Sequence, residues 1–256
     1  MNIALVIGCA RSGTSILGEL IAAHPDVRYV FEAHHLWELG GPGVNDSHRL
    51  TERHATLRVR QKIRKWLEAE RGSASLVVEK NPRNTLRVPF VRAVFPEARI
   101  VHIVRDGRDV ACSMVPGCGG ATWSHLKPPA WKELLVRYEG ALRCALAWKE
   151  VMEIVLGDLA EAPHLEVRYE ELVRSPSAVA RSVGKYLGLR EDPAVQRFCE
   201  KICDSTPESY HAAHQSTWYR DDHGSRIGRW RENLTAAQQR QIGDLLGALL
   251  RKLGYE

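Results

Sequence analysis

Residues 3–22, IALVIGCARSGTSILGELIA, constrain the fold more than any other stretch of this 256-residue chain. Five apolar residues in succession suit a strand covered on both faces rather than one with a wet side. Gly8 and Gly13 then permit a tight turn, and the pattern over Ser12–Ala23 suits a helix. A buried strand that turns directly into a helix aims backbone N–H groups and the positive end of the helix dipole at one point, which makes an anion site. Gly8–Ser15, GCARSGTS, keeps the phosphate-loop spacing G-x-x-x-x-G-K-[ST] at every fixed position but one: Thr14 stands where the lysine belongs.

The remaining chain repeats the alternation. Near-continuous apolar runs at 76–79, 99–104 and 165–169 suggest further buried strands. Helical patterns occupy 51–71, 84–95, 108–114, 129–156, 177–187 and 235–253, and Pro25, Pro82, Pro96, Pro163 and Pro176 punctuate their ends. The expected architecture is an α/β, P-loop-type three-layer fold, a central parallel sheet flanked by helices, in one domain over 1–256. Ligands of such sheets bind at the carboxyl ends of the strands. Two Gly/Pro-rich stretches, 40–48 and 115–129, resist assignment and suit loops that bind an acceptor.

Composition narrows the function. With 44% hydrophobic and 26% charged residues the chain can bury a sizeable core, and its net charge of +5 suits an anionic ligand. That excess is too small to argue for nucleic acid, and the basic run RVRQKIRKW at 58–66 reads as a solvated helix face. Six cysteines at 9, 112, 118, 144, 199 and 203 form neither a disulfide framework nor a zinc pattern. No signal peptide or membrane anchor is visible, so a cytoplasmic location is expected.

The missing lysine argues against a Mg²⁺-bound triphosphate, whose β- and γ-phosphates that lysine would bridge. Arg11 supplies one charge and a bidentate fork in its place, and Thr14 and Ser15 add hydroxyls, which is enough for a single 5′-phosphate. A second cluster, RIVHIVRDGRDVACSM, places Arg105 just beyond a strand and Ser113 eight residues later on the following helix, where both could meet a second phosphate. IVHIV runs into Arg105 and not an aspartate, so no Mg²⁺ ligand follows the strand. A phosphotransferase using ATP is the rival reading, and it lacks both the lysine and the metal ligand.

The stretches RSGTS at 11–15 and VRDGRDVACSM at 104–114 resemble the 5′- and 3′-phosphate-binding motifs of sulfotransferases that use 3′-phosphoadenosine 5′-phosphosulfate (PAPS). AHPDVRYVFE (23–32), EKNPR (79–83), VRYEELVRSP (167–176) and RIGRWRENL (226–234) are similar to segments of bacterial members and of the tyrosylprotein type. This resemblance implies that Arg11, Ser12, Gly13, Thr14 and Ser15 cradle the 5′-phosphosulfate and that Arg105 and Ser113 hold the 3′-phosphate. Tyr169 and Arg226 would be further cofactor contacts, Glu32 the catalytic base and Lys80 the cation of the transition state, acting with Arg11.

Steroid and phenol sulfotransferases carry a histidine two residues after the equivalent of Lys80, and here that position is Pro82. His34 and His35 are therefore expected as acceptor-binding groups, with His34 as a second choice of base. Trp37 and Trp123 are expected to line the acceptor pocket, Trp131 and Trp148 to be core, and Trp218 and Trp230 to flank a cofactor-covering segment. The implied reaction moves a sulfuryl group to a hydroxyl of a small molecule, natural product or sugar, with no metal and with adenosine 3′,5′-bisphosphate (PAP) as product.

Overall fold

Five strands, β1 (Ile3–Ile7), β2 (Val27–Phe31), β3 (Leu76–Lys80), β4 (Arg99–Val104) and β5 (His164–Arg168), form one all-parallel sheet in the order β2-β3-β1-β4-β5. This computed structural model describes residues 1–39, 41, 46–203 and 223–255. Trp218 and most of the 40–48 stretch lie outside the described residues.

All five residues of β1 are buried, as its unbroken apolar run requires of a strand with a neighbour on each side. Ile3, Leu5 and Ile7 enter one core, whereas Ala4 and Val6 enter the other. That period-two division is the sheet's own pleat. The helices are α1 (Thr14–Ala22), α2 (His34–Trp37), α3 (Leu57–Arg71), α4 (Val88–Val94), α5 (Gly107–Cys118), α6 (Trp131–Arg137), α7 (Gly140–Leu159), α8 (Tyr169–Arg174), α9 (Pro176–Leu187) and α10 (Pro193–Cys203). A final helix spans Ala236–Lys252, opened by a reciprocal capping box between Thr235 and Gln238. Leu17, Leu172, Val183 and Cys199, from α1, α8, α9 and α10, fill the core on one side of the sheet. Ile63, Val91, Met114, Trp148 and Leu246, from α3, α4, α5, α7 and the final helix, fill the other. Among the described residues no helix is long and apolar enough to cross a membrane.

The departures from the sequence reading have local causes. β2 went unrecognised because it is an edge strand, mostly half-buried or exposed, and lacks the continuous apolar signature of its neighbours. The helical pattern at 129–156 is two helices, broken at Tyr138 and Glu139 before Gly140, whose φ is 56°. Arg143 stabilises that break: it is 4% exposed and donates to the carbonyls of Leu135, Tyr138, Cys118 and Gly120. Residues 115–118, expected as loop, extend α5 with Pro116 inside it. The short α8 and the amphipathic α10 were not anticipated.

Every strand's carboxyl end leads into a candidate residue or its neighbour: Gly8 after β1, Glu32 after β2, Asn81 after β3, Arg105 after β4 and Tyr169 after β5. Buried Thr85 ties two of these ends together. Its hydroxyl accepts from Gly8 N and donates to Gly8 O, both at 2.8 Å. Thr85→Val keeps the shape and removes both bonds, leaving a buried N–H and C=O unpaired at about 1–3 kcal/mol each. Denaturant unfolding should show a loss of that order, and an unchanged midpoint would remove Thr85 from this role.

Candidate functional site

The loop after β1 is built from two left-handed residues on either side of Ser12. Arg11 has φ 72° and Gly13 φ 97°, and Ser12 N donates to Cys9 O at 3.0 Å to close the turn. Arg11 accepts a conformation that a branched side chain resists. Gly13 is required for a second reason, since a β-carbon there would lie 2.5 Å from the Tyr169 ring. The loop therefore rests against the Tyr169 ring and leads directly into the N-terminus of α1, the end of a helix that attracts anions.

Around this loop three arginines converge. Arg11 Nε donates to Ser113 Oγ at 3.1 Å. Arg105 is 3% exposed, donates to Arg11 O at 3.2 Å and Arg226 O at 2.6 Å, and stacks 4.2 Å above the Tyr169 ring. Arg11, Gly13, Thr14, Ser15, Arg105, Ser113, Tyr169 and Arg226 line one cavity of about 100 Å³ together with Ile16 and His223. Ser12 lies beneath the loop, 1% exposed, and is not on that wall. Cations and hydroxyls dominate the cavity, and among the described residues no carboxylate lines it, which fits phosphate groups. Among the described residues the buried Arg105 Nε has no hydrogen-bond partner, so donor capacity is left over at the cavity.

A buried carboxylate holds the C-terminal part of this wall. Asp109 Oδ2 accepts from Gly228 N at 2.7 Å and Oδ1 from Trp230 N at 3.0 Å. Burial raises its pKa against the pull of those two N–H groups and of Arg105. Arg108 pairs with Asp106 at 2.8 Å and stacks 4.1 Å above Trp230, while Asp106 N donates to Glu170, which also accepts from Tyr255. The RDGRD motif thus serves the cavity through Arg105 and anchors the 226–230 segment through its other charges.

A second cavity of about 190 Å³ adjoins the first and shares Arg11, Thr14 and Ser15 with it. Glu32, at φ 45°, projects into it from the end of β2. One carboxylate oxygen is bonded by Lys80 Nζ; the other lies 3.2 Å from His34 Nε2. Asn81 Nδ2 lies 3.3 Å from His34 Nδ1, and an amide nitrogen can only donate. The imidazole then carries its proton on Nε2, toward Glu32. Burial alone would raise the Glu32 carboxyl, but the His34 bond and the Lys80 ammonium outweigh it and hold the group down to about 2. Burial lowers the pKa of Lys80, which is fully enclosed, and Glu32 opposes that shift. Its ammonium also sits 3.7 Å from the centre of the Phe31 ring.

Not every expected residue faces these cavities. Trp37, expected in the acceptor pocket, is fully buried edge-on to Phe90 and Phe95, because α2 turns it into the core and not toward Glu32. Trp123, also expected there, packs against Trp131 and donates from Nε1 to Leu126 O, so it supports the pocket wall from behind. His35 points away from the cavity, against Trp66. Conversely, His223, Asn81, Arg83 and His125 were not singled out by the sequence. His223 lies within the RDDHGSRIGRWR stretch, where its contact with the Tyr169 hydroxyl at 3.1 Å had no local signal.

Comparison with known proteins identifies the family of the chain. The sulfotransferase family profile matches residues 4–193. Protein-tyrosine sulfotransferase 1 of Danio rerio is 23% identical over 274 residues, covering 100% of this chain and 73% of that protein. Nodulation protein NoeE of Sinorhizobium fredii is 27% identical over 281 residues, covering 99% of this chain and 66% of its own length. Among solved structures, the sulfotransferase domain from the curacin biosynthetic pathway superposes with a TM-score of 0.66 at 15% identity, over 100% of this chain and 98% of that one. Mouse sulfotransferase SULT7A1, solved with PAP, gives 0.55 at 18% identity, over 98% and 85%. With the profile spanning most of its length, the chain belongs to the sulfotransferase family.

Proposed function

We propose that this protein transfers a sulfuryl group from PAPS to a hydroxyl of an acceptor by in-line displacement, with Glu32 as general base. The observation that carries this reading is the junction of the two cavities at Arg11, Thr14 and Ser15: a phosphate site and a carboxylate site share one wall. Arg105, Ser113 and Arg226 would bind the 3′-phosphate, and Arg11, Gly13, Thr14 and Ser15 the 5′ side, with Ser12 supporting the loop from beneath. When bound, the donor supplies the sulfuryl group and a phosphate leaving group.

The protein's own residues divide the remaining work. Arg11 and Lys80 offset negative charge on the departing phosphate, and Glu32 takes the acceptor proton. Lys80 and Glu32 neutralise one another in this structure, which leaves the carboxylate a weak base. Lys80, drawn from Glu32 to a phosphate oxygen, would let the carboxyl return toward its ordinary range. Glu32 would then gain base strength only with the donor in place. His34 remains on the second oxygen throughout and keeps the carboxylate aimed. The acceptor would be a small hydroxyl compound or sugar held beside Phe31, Leu126 and Arg83.

Calorimetry should show tight binding of PAP without added metal and weaker binding of ATP with Mg²⁺; the reverse order would favour a phosphotransferase. Glu32→Gln should lower turnover about 10² to 10⁴ fold while PAP affinity stays close to wild type. Unchanged turnover would remove Glu32 from the mechanism. Before the donor binds, a depressed pKa keeps Glu32 ionised until pH falls through about 2, so kcat/KM for PAPS, which reports the donor-free enzyme, should show no acid limb from this carboxylate between about pH 5 and 8. A limb in kcat/KM for PAPS with a pKa near that of an ordinary carboxyl, absent in Glu32→Gln, would contradict the Lys80 and His34 pairing.

A further inference from the structure

The cavity that contains Glu32 carries a histidine delivered by a different part of the chain from any motif residue. His125 comes from the segment that follows α5, and that segment folds back onto the helix it leaves. Ser124 N and Oγ both donate to Gly117 O at 2.9 Å, and Gly140 N donates to Gly119 O at 2.8 Å. Buried Trp123 and Leu126 anchor it on either side. The imidazole lies directly on α5 at Gly117, where an added β-carbon would be 2.3 Å from His125 Nε2. A bare backbone at 117 lets the ring settle onto the helix and reach the cavity wall. Pro82, at the position expected to carry a histidine in steroid and phenol sulfotransferases, lines that same wall.

We propose that His125 is an acceptor-binding residue whose ring N–H donates to the acceptor hydroxyl oxygen while Glu32 accepts that hydroxyl's proton. The inference rests on the sulfuryl-transfer reading and adds to it a second point of grip on the hydroxyl. Burial and the nearby Arg11 charge bring the His125 pKa down to about 4, so the ring is neutral at physiological pH and offers one donor and one acceptor. A neutral donor holds a hydroxyl without adding another cation beside Arg11 and Lys80. Glu32 and His125 line the same cavity of about 190 Å³, so one hydroxyl compound bound there is within the compass of both.

The test compares wild type, His125→Ala and His125→Asn for PAP affinity and for sulfuryl transfer from PAPS to p-nitrophenol, to N-acetylglucosamine and to water. Transfer to water is read as PAP release without an acceptor. His125→Ala should keep PAP affinity within about twofold while lowering kcat/KM for the acceptor used by about 10 to 100 fold. If the wild type uses neither organic acceptor, the same loss should appear in PAP release. His125→Asn, which retains an N–H donor, or added imidazole should restore part of the activity. Unaltered acceptor kinetics, or a loss that neither asparagine nor imidazole recovers, would overturn the proposal and leave the ring as packing on Gly117. Failure of the wild type to bind PAP would instead overturn the sulfuryl-transfer reading itself.

Discussion

The Thr85 hydroxyl, bonded to both polar groups of Gly8, is the constraint on which the site depends. Gly8 itself cannot carry a side chain, because a β-carbon would fall 2.6 Å from Ile103 O. The backbone at the end of β1 is therefore held between β4 on one side and the segment after β3 on the other. Arg11 follows three residues later and Lys80 precedes Thr85 by five, so a single fixed point sets the distance between the phosphate loop and the cation that serves it. Tyr169 then closes the loop from the β5 side by occupying the space that Gly13 leaves open.

The charges of the site are kept in place by a repeated solution. Arg105 lies over Tyr169, Arg108 over Trp230, Lys80 over Phe31 and Arg168 over Tyr255, and each of these cations also has a hydrogen-bond acceptor. A buried cation is costly to hold unless it is paired, and an aromatic face adds attraction without adding a further anion beside it. Asp109 shows the complementary choice. Its carboxylate is spent on backbone N–H groups of the 226–230 segment, so it neutralises Arg105 only weakly, at 3.9 Å.

The fold was readable because its centre is made of uninterrupted apolar strands. β1 carries that signature over its full length and β4 over all but Arg99 and His102, whereas β2, half-wet at the sheet edge, does not. The lining of the cation-rich cavity was readable for a related reason: Arg11 to Ser15 and Arg105 to Ser113 are local in sequence and sit where a strand hands over to a helix. The acceptor side is assembled differently, from β2, from the turn after β3 and from a segment beyond α5, residues separated by up to 93 positions between Glu32 and His125. Such long-range convergence leaves no spacing to recognise. Trp37 shows the opposite error, where proximity in sequence to Glu32 suggested a shared pocket and the one-turn helix α2 carried the indole to the other side of the wall.

The pairing of β2 with β3 puts Phe31 opposite Lys80 and lets Glu32 N donate to Lys80 O at 2.9 Å. Side chains alternate along a strand, so a slip of one residue in this edge pairing would replace Phe31 by Val30 or by Glu32 opposite Lys80 and turn the Phe31 ring to the other face of the sheet. The chemistry is thus encoded partly as a counting problem, in the number of residues between the turn at Pro25 and the end of an edge strand. A one-residue deletion in that turn, remote from every reacting atom, would disarm the enzyme while leaving each of its site residues in the chain.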